Sequence, residues 1–141
     1  MVKFISNSVS QTENIAEMLG KSLKGNEVIT FFGGLGMGKT AFTRGIAKAV
    51  KTDNLVTSPT FALMNQYTGK FNIFHFDMYR IETWDDLYST GFFDYIGNGI
   101  IIIEWSENIE NALPENYIRI VIEKGESDSQ RIITIDGIDV L

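Results

Sequence analysis

Gly33-Gly-Leu-Gly-Met-Gly-Lys-Thr40 decides how this chain folds. The stretch satisfies G-x-x-x-x-G-K-[ST], with Gly33, Gly38, Lys39 and Thr40 at the fixed positions. An apolar run, Val28-Ile-Thr-Phe-Phe32, precedes it, and a helical pattern, Ala41 to Val50, follows. Strand, loop and helix in that order are the context the motif needs. Glycines let backbone N–H groups converge on phosphate oxygens with no Cβ in the way. The N-terminus of the following helix adds roughly half a positive charge at the same point. The expected phosphate cradle is Gly33, Gly34, Leu35, Gly36, Met37, Gly38, Lys39, Thr40 and Ala41. Within it Lys39 neutralises phosphate charge, and the Thr40 hydroxyl is placed to ligate Mg²⁺. The competing reading, an ordinary Gly-rich strand-to-helix turn, must explain a pattern that chance yields in roughly one such chain in a few hundred.

Working outward, 141 residues fit one domain able to bury a real core. A hydrophobic content of 44% with 12% aromatic residues argues against disorder. There is no cysteine, which removes disulfides and thiolate metal sites. No signal-like or membrane-spanning stretch is seen, so a soluble cytoplasmic protein is the expectation. The net charge of −6 is unevenly spread. Residues 1–70 hold eight Lys/Arg against four Asp/Glu, and residues 71–141 hold four against fourteen. An acidic second half disfavours unaided binding to a nucleic-acid backbone. It reads either as a solvated surface or as a docking face for a basic partner.

The rest of the chain reads as a mixture of strands and helices. Residues 2–6 suggest a strand. Ser10 or Thr12 is positioned to cap a helix running through Leu23, on which Ile15, Met18 and Leu19 form a stripe. Phe61 to Tyr67 and Phe71 to Tyr79 read as strands joined by a hairpin at Thr68-Gly69-Lys70. An acidic helix over Thr83 to Thr90 stops at Gly91, and a short helix is expected over Ser106 to Ala112. Tyr117 to Glu123 and Arg131 to Asp136 form an expected antiparallel pair. The fold class is therefore α/β: a P-loop NTPase-like central mixed sheet flanked by helices, with antiparallel additions. The order of the strands is not legible.

A phosphate-binding loop needs a carboxylate near its magnesium, usually at the end of a buried strand. Two segments offer one. Ile100-Ile-Ile-Ile103 is apolar at successive positions, as in a buried parallel strand, and ends in Glu104. Phe71-Asn-Ile-Phe-His-Phe-Asp77 alternates and places His75 and Asp77 on one face. We assign Glu104 to Mg²⁺, directly or through water, and place Asp77 near the γ-phosphate, where it orients water or senses the nucleotide. The plainer alternatives are a solvated charge at Glu104 and, at Asp77, a cap or an ion-pair partner of Arg80. His75 reads as a packed, hydrogen-bonded core residue and Trp105 as a packing anchor. Thr57-Ser-Pro-Thr60 follows the loop's helix, where nucleotide switches approach the γ-phosphate.

Taken together, Gly33-Gly-Leu-Gly-Met-Gly-Lys-Thr40, Ser58-Pro-Thr-Phe61, His75-Phe-Asp-Met-Tyr-Arg80 and Ile103-Glu-Trp-Ser-Glu107 resemble the TsaE (YjeE) family. These are small bacterial P-loop ATPases of tRNA threonylcarbamoyladenosine formation. The resemblance spans about residues 8 to 135, and the His-Phe-Asp-x-Tyr-Arg and Glu-Trp pieces are its distinctive part. It implies ATP and Mg²⁺ as cofactors, with Lys39 on phosphate and Thr40 and Glu104 on the metal. Asp77 would be linked to hydrolysis, and Thr60 would lie in a switch-like loop. It also implies that Ser10 and Thr12 contact the base and that Glu107 and Arg131 help close the pocket. Gly34, where the family often has an acid, and Ser106, where Pro or Ala is common, are mild departures. The implied partners are a TsaD-like and a TsaB-like protein, with tRNA met only through them and no membrane involved. Two other classes stay open at this level: a small-molecule P-loop kinase, and a nucleotide-binding subunit that does not hydrolyse.

Overall fold

Runs of β-branched and aromatic residues build a sheet, with two helices covering one face and three short ones the other. The computed structural model describes residues 1–32, 38–52 and 64–138. In chain order the elements are β1 (Val2–Ser6), α1 (Val9–Lys21), β2 (Val28–Phe32), α2 (Lys39–Ala49), β3 (Met64–Thr68), β4 (Asn72–Asp77), α3 (Trp84–Ser89), α4 (Phe92–Tyr95), β5 (Ile100–Glu104), a 3₁₀ helix (Ser106–Ala112), β6 (Ile118–Lys124) and β7 (Arg131–Asp136). The strands form one seven-stranded sheet in the order β1-β7-β6-β2-β5-β4-β3. The central four, β6, β2, β5 and β4, are mutually parallel. Antiparallel partners extend both sides, β3 on β4 at one edge and β7 then β1 at the other.

The all-isoleucine stretch of β5 explains its central place. Residues 100 to 103 are each 0% exposed, because their side chains enter cores on both faces. On one face Ile29, Phe31, Ile73, Ile100 and Ile102 pack with α1 and α2. On the other, Phe74, Phe76, Ile101 and Ile103 pack with Leu87, Phe92 and Ile109.

Between α1 and α2 the backbones come close. A methyl group on Gly45 would run into the Glu13 carbonyl and the Ala16 side chain. Beside it Arg44 donates to Glu13 at 2.8 Å, which ties the two helices across their exposed rim. We expect Gly45→Ala to destabilise the fold by about 1–3 kcal/mol, the usual cost of overpacking. A thermal melt read by calorimetry checks it, and an unchanged midpoint would show that the helices can separate freely.

Several boundaries differ from those the sequence suggests, each for a local reason. Ser8, not Ser10 or Thr12, caps α1: its hydroxyl accepts from Gln11 N–H at 3.1 Å. Thr12 is instead buried, with its hydroxyl 2.7 Å from that of Ser6. β4 stops at Asp77, because the Asp77 carboxylate turns back to accept the Tyr79 N–H at 2.9 Å. The acidic helix keeps its expected limits through a capping box between Thr83 and Asp86. The element α4 is not anticipated by the sequence, and the short helix after β5 is of the 3₁₀ kind.

Candidate functional site

Parallel strands gather their C-terminal ends on one edge of a sheet, and here that edge holds nearly every residue of interest. β2 leads into the residues before α2, β4 ends at Asp77 and β5 ends at Glu104. The flanking strands add to the same edge. β1 runs with β2, so Ser6 and the start of α1 lie there; β7 runs against it, so Arg131 does too. Asn7 accepts from the Gln130 side chain at 3.2 Å, which ties the approach to α1 to the β6–β7 turn.

The two carboxylates are partners in register: Asp77 stands opposite Glu104 across the β4–β5 pair. Glu104 is buried, and its carboxylate is held. His75, 0% exposed, lies with Nε2 2.6 Å from Glu104 Oε2 and Nδ1 3.2 Å from the Tyr67 hydroxyl. With its proton on Nε2, His75 donates to Glu104 and accepts from Tyr67. A chain of side chains thus runs from β3 through β4 to the end of β5, fixing one carboxylate oxygen. Asp77 is less enclosed. Partial burial pushes its carboxyl above the ordinary carboxylate pKa, and the Glu104 charge pushes the same way. The Tyr79 N–H, His75 and Lys39 pull it back.

Lys39 opens α2 directly after Gly38, whose φ of 94° is a left-handed turn that suits glycine. Its side chain is buried, and its ammonium lies 5.3 Å from the centre of the Trp105 ring. Trp105 is itself left-handed, at φ 59° and ψ 44°, a conformation that costs a non-glycine residue about 1–3 kcal/mol. That one residue reverses the chain from β5 into the 3₁₀ helix. The reversal keeps the indole between Lys39 and the Tyr79 ring, 4.9 Å away. Two bonds support the turn: the buried Ser106 hydroxyl donates to Ile103 O at 3.1 Å, and the Asn108 amide donates to Met78 O at 2.8 Å.

The structure therefore brings together Lys39, Asp77 and Glu104, with Thr40 following Lys39 in α2 and Ser10, Thr12 and Arg131 on the same edge of the sheet. Thr12 points inward to Ser6, and the Arg131 guanidinium donates to the carbonyls of Asp128 and Gln130. Glu107 is exposed on the 3₁₀ helix and faces the α3 side. Gly33, Gly34, Leu35, Gly36, Met37 and Thr60 lie outside the described residues. Two features went unread in the sequence: the bond from His75 to Glu104 and the shelf that Trp105 makes beside Lys39. The first needs the strand register. The second could have been suspected, since Trp105 directly follows Glu104.

Fold and edge together define a mixed α/β protein of the P-loop NTPase-like kind. The model of the family described as "Threonylcarbamoyl adenosine biosynthesis protein TsaE" matches residues 6–133. The chain belongs to the TsaE family. It is 42% identical over 117 residues to the tRNA threonylcarbamoyladenosine biosynthesis protein TsaE of Rickettsia prowazekii, covering 81% of each chain. It is 44% identical over 106 residues to the protein of the same name from Aquifex aeolicus, covering 73% of this chain and 75% of that one. The crystal structure of Bacillus subtilis YdiB matches with a TM-score of 0.76 at 29% identity, over 98% of this chain and 86% of that one. Among the described residues no helix is long and apolar enough to cross a membrane.

Proposed function

We propose that this chain binds Mg–ATP at the strand-end edge and hydrolyses it, as a switch supporting threonylcarbamoyladenosine formation in tRNA. It does so through a complex of TsaD-like and TsaB-like proteins. The observation that carries the reading is the pairing of Asp77 with Glu104 at the strand ends beside Lys39. The family membership supports the pathway.

The donor set fits the proposed ligands. Magnesium takes oxygen ligands, commonly one or two from protein and the rest from phosphate and water. The Thr40 hydroxyl and the held Glu104 carboxylate are of that kind. When bound, the metal neutralises the triphosphate and polarises its terminal phosphoryl group. Lys39 supplies a buried positive charge for the phosphates. Asp77, next to Glu104 but not locked to His75, orients water and accepts its proton.

The test is ATP hydrolysis by the lone protein and by the protein with TsaD, TsaB and tRNA, with Lys39→Ala as the control. Loss of the lysine is expected to lower turnover by about 10²–10³, the effect of removing one electrostatic donor. Phosphate release that ignores Lys39 would move the site elsewhere. A phosphorylated acceptor in place of free phosphate would make the protein a kinase.

His75 gives a second test. His75→Phe removes the hydrogen bond that orients Glu104 while keeping the bulk. Partners of this type tune metal affinity by about 10–100-fold. The Mg²⁺ concentration giving half-maximal activity is expected to rise by that factor, and His75→Asn is expected to recover part of it. An unchanged Mg²⁺ dependence would make His75 a packing residue only.

A further inference from the structure

Residues 81–118 contain eight acids and no lysine or arginine. They build α3, α4, β5 and the 3₁₀ helix, so the elements covering the second face of the sheet carry one sign of charge. The first face is covered by α1 and α2, which carry both signs: Glu13, Glu17 and Lys21 on α1, and Lys39, Arg44 and Lys48 on α2.

Within the acidic cover lies a groove of about 300 Å³ between α3 and the 3₁₀ helix. Trp84 stands at one side, with Leu87 and Ile109 beneath and Glu82, Glu107 and Glu110 around it. Trp84 is 54% exposed although it is a large aromatic residue, and the neighbouring Tyr88 is 62% exposed. Their rings are not loose. Trp84 lies nearly parallel to Phe93, 14° apart at 6.5 Å, and Tyr88 meets Phe93 at 5.1 Å. A braced, exposed indole beside carboxylates with no basic residue in the neighbouring elements suits a guanidinium. That group stacks on indole and forks to carboxylates, and arginine is enriched where protein interfaces concentrate their energy. The same charge repels a phosphate backbone.

We infer that this groove docks an arginine-bearing segment of a protein partner. The guanidinium lies against Trp84 between Glu82 and Glu110, and an apolar neighbour on the segment reaches toward Leu87 and Ile109. The inference goes beyond the nucleotide reading and does not depend on it, since Trp84, Glu82 and Glu110 are assigned no part in that site.

The test is a nuclear magnetic resonance titration of the full ¹⁵N-labelled chain without nucleotide. The probe is a short acetylated peptide of alternating arginine and leucine. Shifts are expected at the Trp84 indole and in the backbone of α3 and the 3₁₀ helix, weakening as salt is added. Trp84→Ala and Glu110→Lys are each expected to weaken binding about three- to tenfold. Both residues are exposed, and circular dichroism checks that the variants fold. Four outcomes would overturn the inference: shifts centred on other acids, binding indifferent to Trp84→Ala, equal binding of a glutamate–leucine peptide, or equal binding of a uridine oligonucleotide. Sedimentation without peptide covers the remaining occupant. Self-association that perturbs the same signals would assign the groove to a second copy and not to a foreign segment.

Discussion

Asp77→Asn is expected to slow ATP hydrolysis by about 10²–10⁴, the range for loss of a positioned acid or base, while nucleotide binding stays close to unchanged. Asparagine is the informative substitution because Asp77 has a structural role beside the proposed chemical one. One carboxylate oxygen accepts the Tyr79 N–H and ends β4. An asparagine oxygen can still do this, so the turn survives and only the charge and basicity are lost. Asp77→Ala removes both, and its effect mixes chemistry with the fold of the strand end. Single-turnover hydrolysis and equilibrium binding, measured separately, read the difference. Normal hydrolysis by Asp77→Asn would reduce Asp77 to a turn residue.

The electrostatics of Asp77 add a second readout that requires no nucleotide. Its folded pKa lies above its ordinary value, with burial the largest cause and the Glu104 charge acting in the same direction. The folded state therefore holds this proton more tightly than the unfolded chain does. The stabilisation is fully present below the unfolded pKa, about 3.9, and is lost as pH rises through the raised folded one. At neutral pH the ionised group opposes folding. Asp77→Asn should then melt higher than the parent protein near neutrality, with the gap closing in acid.

How much of this was legible depends on whether the signal was local. The run Ile100-Ile-Ile-Ile103 announced a strand buried on both faces, because only a parallel central strand leaves no side for water. The hairpin at Thr68-Gly69-Lys70 and the stop at Gly91 were equally local. The cap of α1 was not: Ser8 and Ser10 have the same intrinsic preference, and the tie between Ser6 and Thr12 decides between them. Four residues carry too little periodicity to announce α4. Strand order and the His75–Glu104 bond need tertiary register, which no window of sequence contains. The strand-end places of Asp77 and Glu104 and the helix-start place of Lys39 were legible, because strand patterning fixes the first two and the Gly-Lys-Thr motif the third. The hydrogen bond that gives Glu104 its orientation was not.

Adding the TsaD-like and TsaB-like pair with tRNA should raise ATP turnover by about 10³–10⁵, the range associated with an arginine finger supplied by a partner. The charge balance of the edge is the reason. Lys39 acts on Asp77, which stands opposite Glu104, so in the proposed site one described lysine meets two carboxylates. Three of the four arginines are committed elsewhere. Arg44 is paired with Glu13 on α1, Arg119 lies 4.0 Å over the Phe32 ring, and Arg131 donates to two backbone carbonyls. Arg80 is exposed three residues after Asp77 and, among the described residues, makes no ion pair. It is therefore the one arginine that could act from within the chain, and Arg80→Ala separates the cases. If the missing charge comes from the partners, the lone Arg80→Ala protein keeps its slow basal rate and the complex still stimulates it. If Arg80 supplies the charge, basal and stimulated rates fall together. Full-speed turnover by the unaided wild-type chain would contradict the partner-supplied case, because every group needed would then lie within the chain.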